Sequence, residues 1–413
     1  MTKKTISVIG LGYIGLPTAA IFASRRVNVI GVDIVQKTVD TINAGAIHIV
    51  EPDLDILVRG AVSAGTLRAT TEIQSADAFL IAVPTPFKSN HEPDLRYIEA
   101  VSTTLAPVLK AGDLVVLEST SPVGTTQRLA EWMAASRPDL TFPHTHGESS
   151  DIRVAYCPER VLPGHVVREL VQNDRIIGGL TPRCSMEAAA LYKIFLEGEC
   201  FITNAHTAEM CKLTENSFRD VNIAFANELS IICDRLDINV WDLIQLANRH
   251  PRVNILQPGA GVGGHCIAVD PWFIVNRTPD EANLIRMARV VNDSKPGWIF
   301  EKVRAAIAGT ERSTIACFGL SFKPNIDDLR ESPALAIVKR ICQELSGDVL
   351  VVEPNIDELP AELQSKANVR LTDEEEALSR ADVIVLLVNH RDFSDLRQKL
   401  AMHPRVVDAI GLI

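Results

Sequence analysis

Short apolar runs that are rich in β-branched residues alternate with longer stretches of helical periodicity over the first half of the chain. Strands are expected at 6–9, 29–32, 78–83, 114–117 and 154–156. Strands that alternate with helical segments predict a parallel sheet with helical crossovers. The same rhythm returns after residue 313, where strands are expected at 315–318, 349–352, 383–387 and 406–408. The pattern therefore predicts an α/β protein with two parallel sheets.

Between the two α/β regions the periodicity is helical, from residue 205 to about 248 and again from about 280 to 308. A glycine-rich loop separates these two stretches. We therefore predict three domains, at 1–204, 205–308 and 309–413. The segment 137–150, with its prolines, histidines and glycine, is expected to be an exposed loop.

Length and composition narrow the class of ligand. The 413 residues exceed what one core usually serves, and a formal net charge of -11 argues against a chain-wide surface for nucleic acid or anionic membranes. The longest apolar runs are too short to cross a bilayer, and the basic start lacks a signal-peptide pattern. Eight scattered cysteines without a Cys-x-x-Cys pair indicate a reducing compartment and no metal site. We expect a cytoplasmic protein that binds a small molecule.

The first expected strand runs directly into Gly-x-Gly-x-x-Gly over residues 10–15, a helical segment follows, and the second strand ends at Asp33. This order matches a dinucleotide fingerprint, in which the glycines permit a tight turn, close approach of the pyrophosphate and helix packing. Asp33 would accept the ribose hydroxyls and repel a 2′-phosphate, which favours NAD over NADP. The expected fold class is α/β, with two Rossmann-like parallel-sheet domains joined by a central helical domain, and the fingerprint assigns the dinucleotide to the first of them.

Residues 261–270, Gly-Val-Gly-Gly-His-Cys-Ile-Ala-Val-Asp, place Cys266 among glycines with Asp270 four residues later. A nucleophilic cysteine needs a polarising environment and an open face, and glycine permits close backbone approach. A buried apolar cysteine in a loop explains the decapeptide equally well. The neighbouring His265 could polarise the thiol or only shape the loop.

Other polar residues are compatible with two interpretations each. Pro84 to Pro86 and Ser119 to Pro122 follow strands, as cofactor contacts or as ordinary turns do. Lys212 and Asn216 share a helix face that could hold an oxyanion or could be a solvated charged surface. Glu159 fits a base or half of a salt bridge with a neighbouring arginine. The segment after the strand at 315–318 carries cations that could bind phosphates or pair with adjacent acids, namely Lys323, Asp327, Asp328 and Arg330.

Taken in order, these motifs resemble the nucleotide-sugar 6-dehydrogenases over essentially the whole chain. The series is Gly10-x-Gly12-x-x-Gly15, Asp33, Ser119-Thr120-x-Pro122-x-Gly124, Pro158-Glu159-Arg160, Lys212-x-x-x-Asn216, Gly263-Gly264-x-Cys266-x-x-x-Asp270 and Phe322-Lys323 to Arg330. The resemblance implies two successive NAD-dependent oxidations that convert the C6 alcohol of a UDP-sugar to a carboxylate. A cysteine thiolate traps the aldehyde, and the thioester that follows is hydrolysed.

The resemblance also implies roles for particular residues. Cys266 would be the nucleophile, Lys212 and Asn216 would stabilise oxyanions, Asp270 and Thr120 would hold or activate a water, and Glu159 would assist hydrolysis. The implied NAD contacts are Gly10, Gly12, Tyr13, Ile14, Gly15, Asp33, Thr85, Thr120 and Arg330. The implied substrate contacts are Glu159, Arg160, Lys212, Asn216, Gly259, Gly263 and Lys323, with His250 or Arg252 completing the site of a neighbouring subunit. The family therefore implies a homodimer or a higher homo-oligomer.

Two departures bear on the sugar. UDP-glucose dehydrogenases usually have serine before the nucleophile and lysine before the aspartate, where this chain has His265 and Val269. The His-Cys form resembles the branch that acts on 2-acetamido sugars, and the continuation Ala-Val-Asp-Pro-Trp-Phe favours the manno over the gluco configuration. The product would be a precursor of a surface polysaccharide.

Two other functions remain open at this point. A two-electron β-hydroxyacid dehydrogenase also joins a Rossmann domain to a helical domain with Lys-x-x-x-Asn, but it has no use for Cys266 or for a third domain. A non-catalytic nucleotide-binding regulator would retain the fold, because fold alone does not establish activity.

Overall fold

The computed structural model describes residues 4–88, 90–162, 164–264 and 266–413. His265 lies outside the described residues, so its predicted role is not addressed by the structure. The chain forms two compact units, residues 1–215 and 216–413. Each unit contains one β-sheet.

The first unit is built on an eight-stranded sheet in the order β3-β2-β1-β4-β5-β6-β7-β8. Its strands are β1 (Thr5–Ile9), β2 (Asn28–Val32), β3 (Leu67–Thr70), β4 (Ala78–Ile81), β5 (Leu114–Leu117), β6 (Arg153–Tyr156), β7 (Arg175–Gly179) and β8 (Cys200–Asn204). All neighbours are parallel except β6 and β7, which are antiparallel. The five expected strands are present, although the one expected over 78–83 ends at Ile81, and β3, β7 and β8 were not predicted.

Helices cover both faces of this sheet. They are α1 (Gly15–Ser24), α2 (Gln36–Asn43), α3 (Leu54–Ser63), α4 (Arg96–Leu105), α5 (Thr125–Ser136), α6 (Pro143–His146), α7 (Val166–Gln172), α8 (Pro182–Tyr192) and the start of α9 (Ala205–Arg235). Val8 belongs to the core cluster that contains α1, whereas Ile9 belongs to the cluster on the other face. Successive strand residues point to opposite faces, so a sheet with helices on both faces needs strands that are apolar throughout.

The prediction of an exposed loop over 137–150 was wrong in part. The segment contains α6 and a short 3₁₀ turn over Gly147–Ser149, and the side chains of Phe142 and Ser150 are buried. Phe142 packs in the core cluster of the first sheet. The prolines and polar residues of the segment gave no indication that one aromatic side chain, Phe142, would be buried.

The second unit holds a five-stranded, wholly parallel sheet in the order β11-β10-β9-β12-β13. Its strands are β9 (Ser313–Phe318), β10 (Gly347–Val352), β11 (Val369–Leu371), β12 (Val383–Leu386) and β13 (Val406–Asp408). Its helices, after the end of α9, are α10 (Val240–Ala247), α11 (Asp270–Arg277), α12 (Asn283–Ala306), α13 (Pro333–Glu344), α14 (Ala361–Gln364), α15 (Glu374–Arg380) and α16 (Arg397–Ala401). Four of these strands match the expected ones, and β11 was not predicted.

The helical region expected from 205 to about 248 is two helices. Asp237 adopts a left-handed conformation with φ 56°, just after α9 ends. The side-chain oxygen of Asn239 then accepts the N–H groups of Trp241 and Asp242, which caps α10. Among the described residues, no helix is both long and apolar enough to span a membrane.

Candidate functional site

The glycine turn after β1 shows a different steric need at each glycine. Gly10 has φ 90°, and a Cβ on it would lie 2.5 Å from the carbonyl oxygen of Ala82. A Cβ on Gly15 would lie 1.7 Å from the carbonyl oxygen of Gly10. A Cβ on Gly12, in contrast, would meet no described heavy atom within 4 Å. Gly10 and Gly15 are therefore required by the turn itself, whereas the space beside Gly12 fits the close approach of a dinucleotide phosphate.

Asp33 follows β2 directly and connects two loops. One oxygen of its carboxylate accepts the N–H of Leu11 at 3.0 Å, and the other accepts the N–H of Val35 at 2.9 Å. A carboxylate has about four acceptor sites, so both oxygens retain capacity for ribose hydroxyls. The half-buried acid therefore fits the predicted cofactor role and also fixes the glycine turn.

Thr85 and Thr120 lie at the same edge of the sheet as the glycine turn. The Thr85 hydroxyl donates to the carbonyl oxygen of Thr120, and the Ser119 hydroxyl donates to that of Val83 at 2.7 Å. These bonds join the loops after β4 and β5. Strands β1, β4 and β5 are parallel neighbours, so their carboxyl ends meet at the switch point where open α/β sheets bind ligands.

Glu159 is part of a buried ion pair. One of its carboxylate oxygens accepts the N–H of Arg160 at 2.6 Å, and the other lies 3.2 Å from a guanidinium nitrogen of Arg175. The Arg160 guanidinium instead pairs with Glu215, at 2.8 Å. Of the two interpretations left open by the sequence, the salt bridge is present, but its partner is Arg175.

Arg175 is the centre of a buried cluster that no sequence motif indicated. Its guanidinium carbon lies 4.6 Å from the centroid of the Tyr192 ring, and the Tyr192 hydroxyl donates to Glu118 at 2.6 Å. Burial raises the pKa of Glu118 to about 7, although the nearby Arg175 opposes this change. Only the tertiary fold brings these residues together, because Glu118 directly follows β5, Arg175 lies on β7 and Tyr192 ends α8.

Two other cysteines are excluded as nucleophiles by their surroundings. Burial raises the pKa of Cys157 to about 12 and that of Cys342 to about 11. A thiol with so high a pKa holds its proton at neutral pH and does not attack carbonyl groups.

Helix α9 is anchored by a buried carboxylate. Glu209 accepts the N–H groups of Gly124 and Thr126 at 2.7 and 2.8 Å, and the Thr126 hydroxyl at 2.6 Å. These donors form the N-terminal end of α5, where a negative charge is favoured. Glu209 is therefore buried and hydrogen-bonded, and it does not belong to a solvated charged surface. Lys212, one turn further, is half-buried, and its ammonium has no hydrogen bond or ion pair among the described residues.

The loop that carries Cys266 leads into the N-terminus of α11. The Cys266 carbonyl oxygen accepts the N–H groups of Val269 and Asp270, at 3.0 and 2.8 Å. The half-buried cysteine therefore lies in the turn that leads into this helix. Asp270 is the first residue of this helix.

Two glycines of this loop, Gly263 and Gly264, are closely packed. A Cβ on Gly263 would lie 2.4 Å from the Glu331 carbonyl oxygen, and one on Gly264 would lie 2.7 Å from the Phe322 ring. Gly264 also has φ 80° and donates its N–H to the Arg330 carbonyl oxygen at 3.2 Å. The loop thus packs against the segment that follows β9.

Asn216 and Asp270 are brought together although 54 residues separate them. The Asn216 side-chain amide donates to the Asp270 carboxylate at 2.5 Å, and both side chains are buried. An amide nitrogen carries two donors, so one of them stays available for an oxyanion. In the second unit the structure therefore joins Asn216, Asp270 and the backbone of Cys266.

The remaining predicted substrate contacts lie in surface segments of the second unit. Lys323, His250 and Arg252 are exposed, and Gly259 donates its N–H to the Asn227 side chain at 2.9 Å. Arg330 forms a salt bridge with Asp328 at 2.6 Å. Of the two interpretations of this cation, pairing with an adjacent acid is the one observed in the unliganded chain.

A metal centre is not suggested by the described residues. They contain no group of three or more His, Cys, Asp or Glu side chains that could hold a metal ion.

Three consecutive family models match this chain. The NAD-binding domain of the UDP-glucose/GDP-mannose dehydrogenase family matches residues 4–196, its central domain 206–294, and its UDP-binding domain 316–413. The glycine turn and Asp33 lie inside the first match. The predicted cofactor, NAD, is therefore confirmed.

Full-length relatives have the same organisation. The chain is 66% identical over 99% of its length, and 96% of the relative's, to the NDP-N-acetyl-D-galactosaminuronic acid dehydrogenase of Ralstonia nicotianae. It is 63% identical over 100% of both chains to the UDP-N-acetyl-D-mannosamine dehydrogenase of Escherichia coli K12. The solved UDP-D-ManNAc dehydrogenase of Pyrococcus horikoshii is 37% identical, with a TM-score of 0.88 over 99% of this chain and 96% of that one. The predicted fold class is confirmed, and the chain belongs to the UDP-glucose/GDP-mannose dehydrogenase family.

Proposed function

We propose that the protein oxidises the C6 alcohol of a UDP-linked 2-acetamido sugar to the carboxylate, with two molecules of NAD per sugar and Cys266 as nucleophile. The observation that carries the proposal is the pairing of Asn216 with Asp270 at the helix terminus that Cys266 precedes. This arrangement combines a thiol, an amide donor and a carboxylate, the three groups that aldehyde oxidation through a thioester requires.

The chemistry proceeds by two hydride losses from the same carbon. Bound NAD supplies the hydride acceptor. The alcohol first loses a hydride and a proton, and the Cys266 thiolate then adds to the aldehyde carbon to give a thiohemiacetal. Loss of a second hydride and the hydroxyl proton leaves a thioester, and water attacks its carbonyl carbon to release the carboxylate and regenerate the thiol.

The chain's own residues account for the charges in these steps. Lys212 and Asn216 donate to the oxyanion that forms before each hydride loss and during hydrolysis, while Asp270 and Thr120 orient the water. Glu159 assists hydrolysis as a carboxylate held in place by Arg175. The half-buried Lys212 supports its part, since its ammonium has no ion pair or hydrogen bond with any described residue and can donate to a substrate oxygen.

On the nucleotide side we propose that Lys323 and the 259–264 loop bind the UDP-sugar and that Arg330 contributes to NAD binding. The match of residues 316–413 to the UDP-binding domain supports the first assignment. Arg330 is exposed and Asp328 is half-buried, so the guanidinium lies where a pyrophosphate can reach it. Arg160 takes part by fixing Glu215 on α9.

We propose UDP-N-acetyl-D-mannosamine as the sugar. Relatives of that name from Escherichia coli and Yersinia pestis are 63% and 62% identical over the full chain. The galacto configuration is the second candidate, because the Ralstonia nicotianae relative named for an N-acetyl-D-galactosaminuronic acid is 66% identical. The His-Cys sequence before Ile267 favours either acetamido sugar over UDP-glucose.

A homodimer is part of this proposal. Phe218, Phe225 and Ile232 lie seven residues apart on α9, and their side chains are 68%, 53% and 44% exposed. This spacing places them on one helix face, where a stripe of exposed apolar side chains favours association with a second copy. His250 or Arg252 would then reach the partner's sugar site. The three-domain division at 204 and 308 is likewise a proposal, which the three family matches support.

A substrate panel tests the proposal. The manno, gluco and galacto forms of UDP-N-acetylhexosamine, with UDP-glucose as control, are each incubated with NAD while NADH formation is followed. We expect the manno sugar to have the highest kcat/KM and UDP-glucose to have the lowest. Preference for the galacto sugar would support the second candidate, and absence of turnover with every UDP-sugar would support the non-catalytic regulator.

A further inference from the structure

The two sheets repeat one arrangement at the turn after the strand that comes first in the chain, β1 or β9. Gly10 donates its N–H to the Val32 carbonyl oxygen at 2.8 Å, and Gly319, after β9, donates to that of Val352 at 2.8 Å. Both glycines have a positive φ, 90° and 95°. In each sheet the next strand over, β2 or β10, is followed directly by an acidic residue.

The acid of the second sheet holds the turn in the same way. Glu353 accepts the N–H of Leu320 at 2.8 Å, as Asp33 accepts the N–H of Leu11 at 3.0 Å. The two carboxylates therefore occupy corresponding positions, one in the dinucleotide domain and one in the UDP-binding domain.

Their surroundings differ in a way that changes the function of the acid. Glu353 is buried, and it also accepts the Ser321 N–H at 3.1 Å and the backbone and side-chain N–H groups of Asn355 at 3.1 and 2.9 Å. The Nε2 of His390 lies 3.0 Å from the same carboxylate. Five donors occupy this carboxylate, which leaves no room for a ribose hydroxyl.

His390 continues the network to the other end of the loop. Its Nδ1 accepts the N–H of Asn325 at 3.0 Å, so the ring proton lies on Nε2, which donates to Glu353. Asn325 is in the left-handed region with φ 61°, and its side-chain oxygen accepts the Arg391 N–H at 2.9 Å. Between these anchors the Ser321 hydroxyl donates to the Lys323 carbonyl oxygen at 2.8 Å.

We propose that the buried Glu353–His390 pair is a positioning unit for Lys323. Glu353 fixes the beginning of the 320–325 loop through Leu320 and Ser321, and His390 fixes its end through Asn325. Lys323 is exposed between the two anchors, so its ammonium is presented from an ordered backbone. The inference rests on the proposed contact of Lys323 with the nucleotide, and it adds residues that never touch the ligand.

The protonation state agrees with a permanent anchor. Burial disfavours the charged form of Glu353, but hydrogen bonds from His390, Leu320 and Asn355 outweigh it and lower the pKa to about 2. The carboxylate therefore remains an acceptor for all five donors at any working pH.

Two substitutions of His390 distinguish the loss of its hydrogen bond with Asn325 from a general loss of stability. An asparagine oxygen can take the place of Nδ1 and accept the Asn325 N–H, whereas a glutamine amide can take the place of Nε2 and donate only to Glu353. Calorimetric titration with UDP is the readout, and NAD binding and the melting temperature are measured in parallel. We expect His390→Gln to weaken UDP binding by about tenfold or more, and His390→Asn by about threefold or less, with NAD binding unchanged.

The matched control is Asp382→Asn. Asp382 accepts the Thr314 N–H at 2.8 Å at the opposite edge of the same sheet, so this variant reports a loss of carboxylate anchoring away from the nucleotide. It should bind UDP as the wild type does. Equal UDP affinity in His390→Gln and the wild type would overturn the proposal, as would equal losses in the two His390 variants.

A double-mutant cycle with Lys323→Met tests whether the pair acts through Lys323. We expect the effect of His390→Gln on UDP affinity to disappear in the Lys323→Met background, and a loss of the same size in both backgrounds would overturn the inference. A Lys323→Met variant with wild-type UDP affinity would instead contradict the nucleotide role of Lys323, so the two failures are distinguishable.

Discussion

Replacement of Glu118 by glutamine should stabilise the protein at alkaline pH. Glu118 is buried, one oxygen accepts the Tyr192 hydroxyl, and the other has no hydrogen bond from any described residue. Glutamine keeps the acceptor for Tyr192 and has the shape of the protonated acid. The substitution therefore removes a buried ionisation and leaves the packing unchanged.

The size of the effect follows from the pKa of Glu118, which burial raises from 4.5 to about 7. Between these values the folded protein binds a proton that the unfolded chain does not, so stability falls as the pH rises through this window. The full difference corresponds to about 3 kcal/mol, at about 1.4 kcal/mol for each tenfold change in the ionisation constant. The unfolding free energy of the wild type should be lowered by this amount at pH 8 and by little of it at pH 5. That of Glu118→Gln should not be lowered at either pH.

Urea denaturation at pH 5 and pH 8 measures the difference. We expect Glu118→Gln to match the wild type within about 1 kcal/mol at pH 5 and to exceed it by about 2–3 kcal/mol at pH 8. The exposed Glu72→Gln, which changes the net charge equally, should show no such dependence on pH. A glutamine variant that is less stable than the wild type at pH 8 would refute the reasoning and would mean that Arg175 holds Glu118 ionised.

Two further predictions follow from the packing. Gly12→Ala should weaken NAD binding by about tenfold or more, measured by calorimetry, and change the unfolding free energy by about 0.5 kcal/mol or less. Gly15→Ala should instead lower the unfolding free energy by about 3 kcal/mol or more, measured by urea denaturation. Equal stability losses in these two variants would contradict the account of the turn. Glu209→Ala should lower the unfolding free energy by about 3–5 kcal/mol, because it leaves the N–H groups of half-buried Gly124 and buried Thr126 without their acceptor. A loss below about 1 kcal/mol would show that water replaces the carboxylate.

Much of the fold is predictable from the sequence because fully buried strands are apolar throughout. The pattern predicts β5 and β13 with their observed bounds and β1 within one residue. The strands that it misses lie at sheet edges or carry polar residues. Strand β8 has two exposed apolar residues, Phe201 and Ile202, and β11 has only three residues. Such strands form through pairing with a neighbour, which no local pattern encodes.

Part of the candidate site is likewise predictable from the sequence, and part of it is not. The fingerprint at 10–15 and Asp33 are readable because their chemistry depends on residues close in sequence. The Arg175 cluster and the Glu353–His390 pair are not, since their partners come from separate strands and become neighbours only in the sheet. Gly264 illustrates a third case, because its close packing against Phe322, which lies 58 residues later in the chain, is a constraint that no local motif shows.

The central claim is that Cys266 carries the sugar between two oxidations, and the yield of NADH at limiting UDP-N-acetyl-D-mannosamine tests it most directly. The wild type should form two NADH for each sugar consumed, with the carboxylate as product. Cys266→Ser should bind NAD normally and form no carboxylate. One NADH per sugar with a released aldehyde in the wild type, or an undiminished yield of carboxylate in Cys266→Ser, would contradict the account.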